Sequence, residues 1–139
     1  MARPRPRDRR APQRLILDAG AVIALSRGEQ RARAFLARAL ELGASVEVPV
    51  VVVAETLRGG RRDTPVHRVL KAVGSVPDAR EDHGRTAGRL LGAVRSDETI
   101  DALVVAQAVE AGGAQVLTGD PEDLERLARP HPEVWVQRV

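Results

Sequence analysis

Four acidic residues of this chain stand at the end of an apolar segment or inside one. Asp18 follows the run RLIL, Glu55 follows VPVVVVA, and Asp120 comes shortly after AQVLT, whereas Asp101 lies within IDALVVA. In an open α/β sheet, functional groups gather beyond the carboxyl ends of the strands. Each of the four acids belongs to a different segment, so only the fold can bring them together.

A cluster of these four carboxylates would need a partner of opposite charge. Two carboxylates about 5 Å apart repel by roughly 3 kcal/mol at an effective dielectric constant of 20. Either a hard divalent cation or protonation of some acids must relieve that repulsion. The chain has no cysteine, and its three histidines are isolated, so we expect an all-oxygen site for Mg²⁺, with Mn²⁺ as the alternative. Such ions activate water for attack on a phosphodiester bond.

Each acid also has a purely structural interpretation. Asp120 is followed by proline, which is typical of a helix N-cap, and Asp18 could cap a helix over Ala19–Arg27 in the same way. Glu55 near a helix start would be favoured by the helix dipole. Asp101 is the hardest to explain as a purely structural residue, because a carboxylate on an apolar helix loses its hydration, which costs free energy unless the carboxylate has a partner.

Strands and helices alternate along the sequence. We predict strands at Arg14–Leu17, Val46–Val53, Ser75–Pro77, Ala114–Thr118 and Val134–Val136, with Pro49 making the second an edge strand or one that ends early. The predicted helices are Ala19–Arg27, Glu29–Leu42, a helix entered at Glu55 that ends by Gly59-Gly60, Thr64–Val73, Asp82–Arg95, Asp97–Ala111 and Glu122–Ala128. This alternation predicts an α/β fold with a central, mainly parallel sheet and helices on both faces.

Two further acids lie near the predicted site. If Ser96 caps the helix over Asp97–Ala111, Asp101 falls in its second turn, and Asp97 lies on the same face four residues earlier, as a minor ligand or as an ordinary first-turn acid. Asp123 faces either the site or solvent, and of these two orientations we favour solvent.

The charge of the chain is unevenly distributed. The first 14 residues contain six arginines and one aspartate, a net charge of +5, and since the whole chain carries +3, the remainder carries −2. Arginine and proline alternate in residues 1–13, which predicts a disordered basic tail, with one domain over residues 14–139.

Composition excludes several classes of protein. Phe35 and Trp135 are the only aromatic residues, which argues against a protein that stacks RNA bases on several rings. The basic N-terminal segment has no apolar core of a signal peptide, and no apolar run of the chain is long enough to span a membrane. We therefore expect no membrane association and a cytoplasmic location.

Four segments taken together resemble the PIN-domain family, and most of all the VapC-type toxins of bacterial toxin–antitoxin pairs. They are ILDAGAVIAL, VVVAETLRGG, DALVVAQAVEAGG and VLTGDPEDL, and the resemblance runs from about residue 15 to 136. It implies a single PIN-like domain and a Mg²⁺-dependent endoribonuclease that cleaves RNA. It also implies a small cognate antitoxin that covers the site, and a homodimer. The basic tail before the first strand departs from the family pattern.

The resemblance assigns roles residue by residue. Asp18, Asp101 and Asp120 match the family's metal-binding aspartates, and Glu55 matches its glutamate, which would orient or deprotonate the attacking water. Thr118 matches the threonine that precedes the last acid. Arg58, Arg61 and Arg62, just beyond Glu55, either contact RNA phosphates or an acidic antitoxin segment, or form a solvated loop.

Three other interpretations are weighed against this one. A phosphoacceptor receiver domain has paired acids after its first strand and a lysine after its last, whereas Asp18 is followed by Ala-Gly and the only lysine is Lys71. A PIN nuclease of RNA processing would have no antitoxin. A non-catalytic PIN-like binding module would have no use for all four acids.

Overall fold

A computed structural model describes residues 13–139 of the chain. Four strands form one parallel sheet in the order β2-β1-β3-β4: β1 is Arg14–Leu17, β2 Ser45–Glu47, β3 Ala114–Thr118 and β4 Val134–Arg138. The predicted parallel α/β architecture is confirmed. The two central strands, β1 and β3, lie side by side and parallel, so their carboxyl ends share one edge of the sheet.

Seven α-helices connect and cover these strands within the described residues. They are α1 Ala19–Ser26, α2 Gln30–Glu41, α3 Val50–Thr56, α4 Thr64–Val73, α5 Glu81–Val94, α6 Thr99–Glu110 and α7 Pro121–Ala128, with a 3₁₀ turn at Arg61–Asp63. Parallel strands covered by helices on both faces have apolar side chains on both faces. Accordingly, Leu15, Ile16 and Leu17 of β1 are all fully buried.

The second strand is much shorter than predicted. It pairs with β1 from Ser45 to Glu47 and ends there, and Val50–Val53 forms the start of helix α3. Pro49 has no N–H to offer the sheet, but its carbonyl accepts the N–H groups of Val52 and Val53, which starts the helix. Burial of Val52 in the core outweighs the preference of valine for strands. Glu55 therefore lies in the last turn of a helix and not at its entry.

Two other predicted boundaries were wrong. Ser75–Pro77 forms no strand, and its link to the sheet region is a single hydrogen bond from the Val48 N–H to the Ser75 carbonyl at 3.0 Å. Helix α6 begins at Thr99, because the Ser96 hydroxyl accepts the Glu98 N–H and the Asp97 carbonyl accepts the Thr99 N–H. Asp97 thus lies outside the helix, and Asp101 falls in its first turn.

Except for Gln13, the predicted disordered tail at residues 1–13 lies outside the described residues. The Gln13 carbonyl accepts the Ser45 N–H at 2.9 Å, which extends the β1–β2 pairing by one residue. None of the helices in residues 13–139 is long and apolar enough to cross a membrane.

Candidate metal-binding and catalytic site

Asp18 and Asp120 follow the two adjacent central strands. The Asp18 N–H donates to the Leu117 carbonyl at 3.0 Å, which ties the end of β1 to the end of β3. The Asp18 carboxylate accepts the Ala21 N–H at 2.9 Å and so caps α1, as the structural interpretation expected. Asp120 holds the N-cap position of α7 without a side-chain cap hydrogen bond, so its carboxylate is not committed to the helix.

Thr118 connects these two acids. Its side chain is fully buried, and its hydroxyl oxygen accepts the Asp120 N–H at 3.0 Å. Hydrogen bonding by the same hydroxyl lowers the pKa of Asp18, against the larger effect of burial, which raises it. The negative charge of Asp120 also raises the pKa of Asp18, so the two carboxylates interact electrostatically.

The two strand–helix connections touch each other backbone to backbone. A methyl group added to Gly20, at the start of α1, would stand 2.7 Å from the Gly119 nitrogen and 3.0 Å from its Cα. Neither atom belongs to a flexible side chain that could move aside. Glycine at position 20 therefore allows the close approach that brings the segments of Asp18 and Asp120 together.

We expect Gly20→Ala to destabilise the protein by about 1–3 kcal/mol, because overpacking forces backbone to shift. The same shift separates Asp18 from Asp120, so any cleavage activity should fall about 100-fold, as a misplacement near 1 Å can cause. Thermal melts and cleavage rates measure both. Gly88→Ala is the matched control, since that glycine lies in α5 with nothing within 4 Å. Equal behaviour of the two variants would contradict the role given to Gly20.

A second group of acids lies where α6 and α7 begin. Carboxylate oxygens of Glu98, Asp101 and Asp123 all lie within 4.8 Å of one another. Glu98 is the N-cap residue of α6, Asp101 is in its first turn, and Asp123 is in the first turn of α7, which packs against α6. Asp123 is half-buried and its carboxylate lies beside that of Asp101, so of its two predicted orientations it takes the one toward the site.

Asp101 is the most perturbed acid of the site. Burial, followed by the surrounding negative charges, raises its pKa from 3.8 to about 6. The charges that contribute belong to Glu98, Asp123, Asp18 and Glu55, in decreasing order. Because Asp18 and Glu55 belong to other segments, the effect shows that the acids of β1, α3 and α6 share one electrostatic environment.

Glu55 lies at the margin of this environment. It is exposed, in the last turn of α3, and its pKa is raised by partial burial and by the charge of Asp18. The positive charge of Arg58 opposes that increase. An exposed carboxylate with a raised pKa can both reach a bound substrate and accept a proton.

The predicted acids are thus neighbours in two groups and not one tight cluster of four. Asp18 and Asp120 flank Thr118, while Asp101 lies with Glu98 and Asp123. Within residues 13–139, the trio of Glu98, Asp101 and Asp123 is the only group of three potential ligands with such close oxygens. Sequence reasoning missed Glu98 altogether; the signal available was its spacing of three residues from Asp101, one helical turn.

The donor set fits a hard divalent cation. Every donor is a carboxylate oxygen, which suits Mg²⁺ or Mn²⁺ rather than a softer metal. No hydrogen-bond donor in residues 13–139 is among the causes that set the pKa of Asp101. A bound cation would supply the missing positive partner and lower the pKa of that carboxyl.

Comparison with known protein families gives one match over most of the chain. The family model described as the PIN domain matches residues 15–130. The chain belongs to the PIN-domain family. The matched residues include all six acids of the site, and the likeness to PIN domains that the four segments indicated is confirmed. PIN domains are generally nucleases.

Solved structures of low sequence identity share this PIN fold. One is VapBC2 from Rickettsia felis bound to a DNA fragment from their promoter, with a TM-score of 0.72 and 12% identity over 91% of this chain and 98% of that one. Another is a toxin–antitoxin complex from Klebsiella pneumoniae, with a TM-score of 0.65 and 18% identity over 86% of this chain and 94% of that one. A search of curated protein sequences finds no significant match to the chain.

Proposed function

We propose that this PIN domain is a Mg²⁺-dependent endoribonuclease and the toxin component of a bacterial toxin–antitoxin pair. The observation that supports the nuclease is that six carboxylates, four of them the acids that the sequence singled out, lie in neighbouring, electrostatically linked groups of a PIN domain. The full set is Asp18, Glu55, Glu98, Asp101, Asp120 and Asp123. The toxin assignment is supported by the similarity in fold to two solved toxin–antitoxin complexes.

The residues divide the work of hydrolysis between them. Asp18, Asp101 and Asp120 would hold one or two Mg²⁺, and Glu98 and Asp123 join Asp101 in that role because their oxygens lie beside its own. When bound, the ion supplies Lewis-acid stabilisation of phosphoryl oxygens and a more acidic water. Thr118 orients Asp18 and Asp120 through the hydrogen bonds described above.

Glu55 is the proposed general base. Its raised pKa makes its carboxylate oxygen a better proton acceptor than an ordinary glutamate, and its exposure at the end of α3 leaves it accessible to water beside the substrate. It accepts the proton that the attacking water loses as the bond to phosphorus forms. The P–O bond to the leaving strand breaks as that new bond forms, and the leaving oxygen takes a proton from solvent.

The proposed partners are an RNA substrate, a small antitoxin that covers the acidic site, and a second copy of the chain in a homodimer. Blocking the site is the simplest control of a nuclease that would otherwise cleave the RNA of its own cell. A PIN nuclease of RNA processing would cleave RNA but would need no antitoxin, and a non-catalytic module would do neither. A small antitoxin-like gene directly upstream would favour the toxin over both of these alternatives.

Expression of the chain alone in a bacterial host is expected to arrest growth, and Asp18→Asn is expected to relieve the arrest, since it removes a proposed metal ligand. Growth curves at equal protein levels, checked by immunoblotting, make the measurement. Asp78→Asn is the control, because that exposed aspartate lies outside the acidic site. Arrest by wild type and Asp18→Asn alike would contradict toxicity through RNA cleavage, and no arrest by either would favour a PIN domain outside toxin–antitoxin systems.

A further inference from the structure

The segment between α3 and α4 carries three arginines beside the acidic site. We call residues 57–63 the arginine loop: it begins two residues after Glu55 and contains Arg58, Arg61 and Arg62, all of them exposed. Helix α1, which starts after Asp18, packs against both α3 and α4, the helices that flank the loop. The charges of Arg58 and Asp18 both act on Glu55, so the loop begins beside the acidic site.

A buried carboxylate fixes the backbone of this loop. Asp63 is only 5% exposed, and one of its oxygens accepts the N–H groups of Arg58 at 2.8 Å and Gly59 at 2.6 Å. Gly59 has a φ of +90°, which a residue with a Cβ would adopt only with strain. These N–H groups lower the pKa of Asp63, so at neutral pH its carboxylate is ionised and available to accept both hydrogen bonds.

The positive charges of the loop are not neutralised by neighbouring acids. Among residues 13–139, no carboxylate pairs with the guanidinium of Arg58, Arg61 or Arg62 within 4.0 Å. Asp63 is close in sequence, but it bonds backbone N–H groups and not these side chains. Of the three guanidinium groups, only that of Arg58 is hydrogen-bonded within the part of the chain that the structure describes: its Nη1 donates to the carbonyls of Ala54 at 3.0 Å and Leu57 at 2.8 Å, at the end of α3.

The loop lies next to an acidic site that repels any polyanion. Arg58 is close enough to Glu55 to lower the pKa of that glutamate. Phosphates that flank a scissile bond would otherwise meet six carboxylates on a domain whose net charge beyond residue 14 is −2. Guanidinium groups form strong, directional hydrogen bonds to phosphate oxygens and keep their charge at any physiological pH.

We propose that the arginine loop is the substrate-anchoring site, in which Arg61 and Arg62 bind backbone phosphates of single-stranded RNA and Asp63 is the positioning residue that holds the loop in place. This inference rests on the proposed function, because it names where the substrate of that same site is held. The contacts are to phosphates, so they provide affinity and register and no sequence preference.

The salt dependence of RNA binding tests the two arginines. A fluorescein-labelled 12-nucleotide RNA is titrated with the protein from 50 to 200 mM KCl in EDTA, which prevents metal-dependent cleavage, and binding is followed by anisotropy. The slope of log K against log[KCl] is negative, and Arg61→Ala/Arg62→Ala should make it less steep by about 1.4, or 0.7 for each lost phosphate contact. The same variant should bind RNA about tenfold or more weakly at 50 mM KCl.

The control removes the same charge elsewhere. Arg80→Ala/Arg129→Ala replaces two exposed arginines outside the arginine loop. Arg80 lines a cavity together with Arg14, at the start of β1, and Arg129 follows the end of α7. The slope of this variant should equal that of the wild type. Equal slopes for all three proteins, or no measurable RNA binding by the wild type, would overturn the proposal.

Two substitutions of Asp63 test its positioning role through opposite signs. Asp63→Ala removes a negative charge, which by electrostatics alone would strengthen RNA binding, but it also frees the loop backbone, so we expect binding to weaken. Asp63→Asn removes the same charge and keeps an oxygen acceptor for the Arg58 and Gly59 N–H groups, so it should bind at least as tightly as the wild type. Both are measured well below their melting temperatures. Stronger binding by Asp63→Ala would overturn the positioning role.

The outcomes separate this inference from the proposed function. Normal cleavage with unchanged salt slopes would refute the arginine loop and leave the nuclease standing. Loop-dependent RNA binding without Mg²⁺-dependent cleavage would support the loop and refute the nuclease. A labelled 12-residue oligoglutamate peptide is the second probe. If Arg61→Ala/Arg62→Ala loses that peptide and retains RNA, the loop docks an acidic protein segment and the proposal fails.

Discussion

Replacing Asp101 by asparagine is expected to reduce Mg²⁺-dependent RNA cleavage by at least about 100-fold, the range in which loss of an essential group of this kind falls. The side chain keeps its size and loses its charge, so the change acts on metal binding and not on packing. Asp101 is the acid on which the others act, since the charges of Glu98, Asp123, Asp18 and Glu55 all raise its pKa. Single-turnover cleavage of a labelled RNA measures the loss.

Asp97→Asn is the matched control for that experiment. Asp97 lies four residues earlier, outside α6 and outside the group formed by Glu98, Asp101 and Asp123. The sequence alone left open whether it is a minor ligand, and its place in the structure predicts wild-type cleavage after the substitution. Equal losses in both variants would show that negative charge in general, and not the Asp101 position, supports the activity.

The same substitution is expected to raise the melting temperature of the metal-free protein. In EDTA at pH 7.5, Asp101 is ionised in spite of burial and four neighbouring charges, and Asp101→Asn relieves that strain. A pKa raised from 3.8 to about 6 corresponds to about 1–2 kcal/mol once screening of a half-exposed group is allowed for, or roughly 3–6 °C for a domain of this size.

The pH dependence of this difference has a defined sign. The folded protein binds a proton at Asp101 more tightly than the unfolded chain does, so the contribution of Asp101 to stability is greatest below pH 3.8 and is lost as the pH rises through about 6. The advantage of Asp101→Asn in EDTA should therefore be present at pH 7.5 and vanish near pH 4. In millimolar Mg²⁺ the difference in melting temperature between Asp101→Asn and the wild type should shrink or change sign, because the ion stabilises the wild type more than the variant. A variant that melts lower by the same amount in EDTA and in Mg²⁺ would indicate a structural carboxylate.

The sequence predicted the architecture well where apolar runs were buried on both faces. RLIL and AQVLT were predicted as strands of a mainly parallel sheet, and they are its two central strands, β1 and β3. The prediction of a strand over Val46–Val53 failed because local preference and tertiary burial disagree there. The four valines after Pro49 favour a strand, but Pro49 starts a helix that buries Val52. Glu55 then moved from the start of a helix to its last turn.

The sequence selected acids from four segments but could not predict how they are arranged. The charges of Asp18 and Glu55 act on Asp101, and that of Asp120 acts on Asp18. The trio of close carboxylate oxygens is formed by Asp101 with Glu98 and Asp123. That pairing depends on how α6 packs against α7, which no local pattern specifies. The same holds for Gly20 and Gly119, whose contact joins segments about a hundred residues apart in sequence. Single-sequence periodicity carries no information on such contacts.

Cleavage of RNA by the purified wild-type protein, with and without Mg²⁺, tests the proposed metal-dependent site most directly. A labelled RNA is incubated with the protein in 5 mM Mg²⁺, in EDTA, and in EDTA followed by excess Mg²⁺, with Asp101→Asn alongside to detect a contaminating nuclease. We expect cleavage by the wild type in Mg²⁺, none in EDTA, recovery on adding the ion back, and little with the variant. Cleavage that persists in EDTA, or no cleavage under any of these conditions, would contradict a metal-dependent ribonuclease built on these carboxylates.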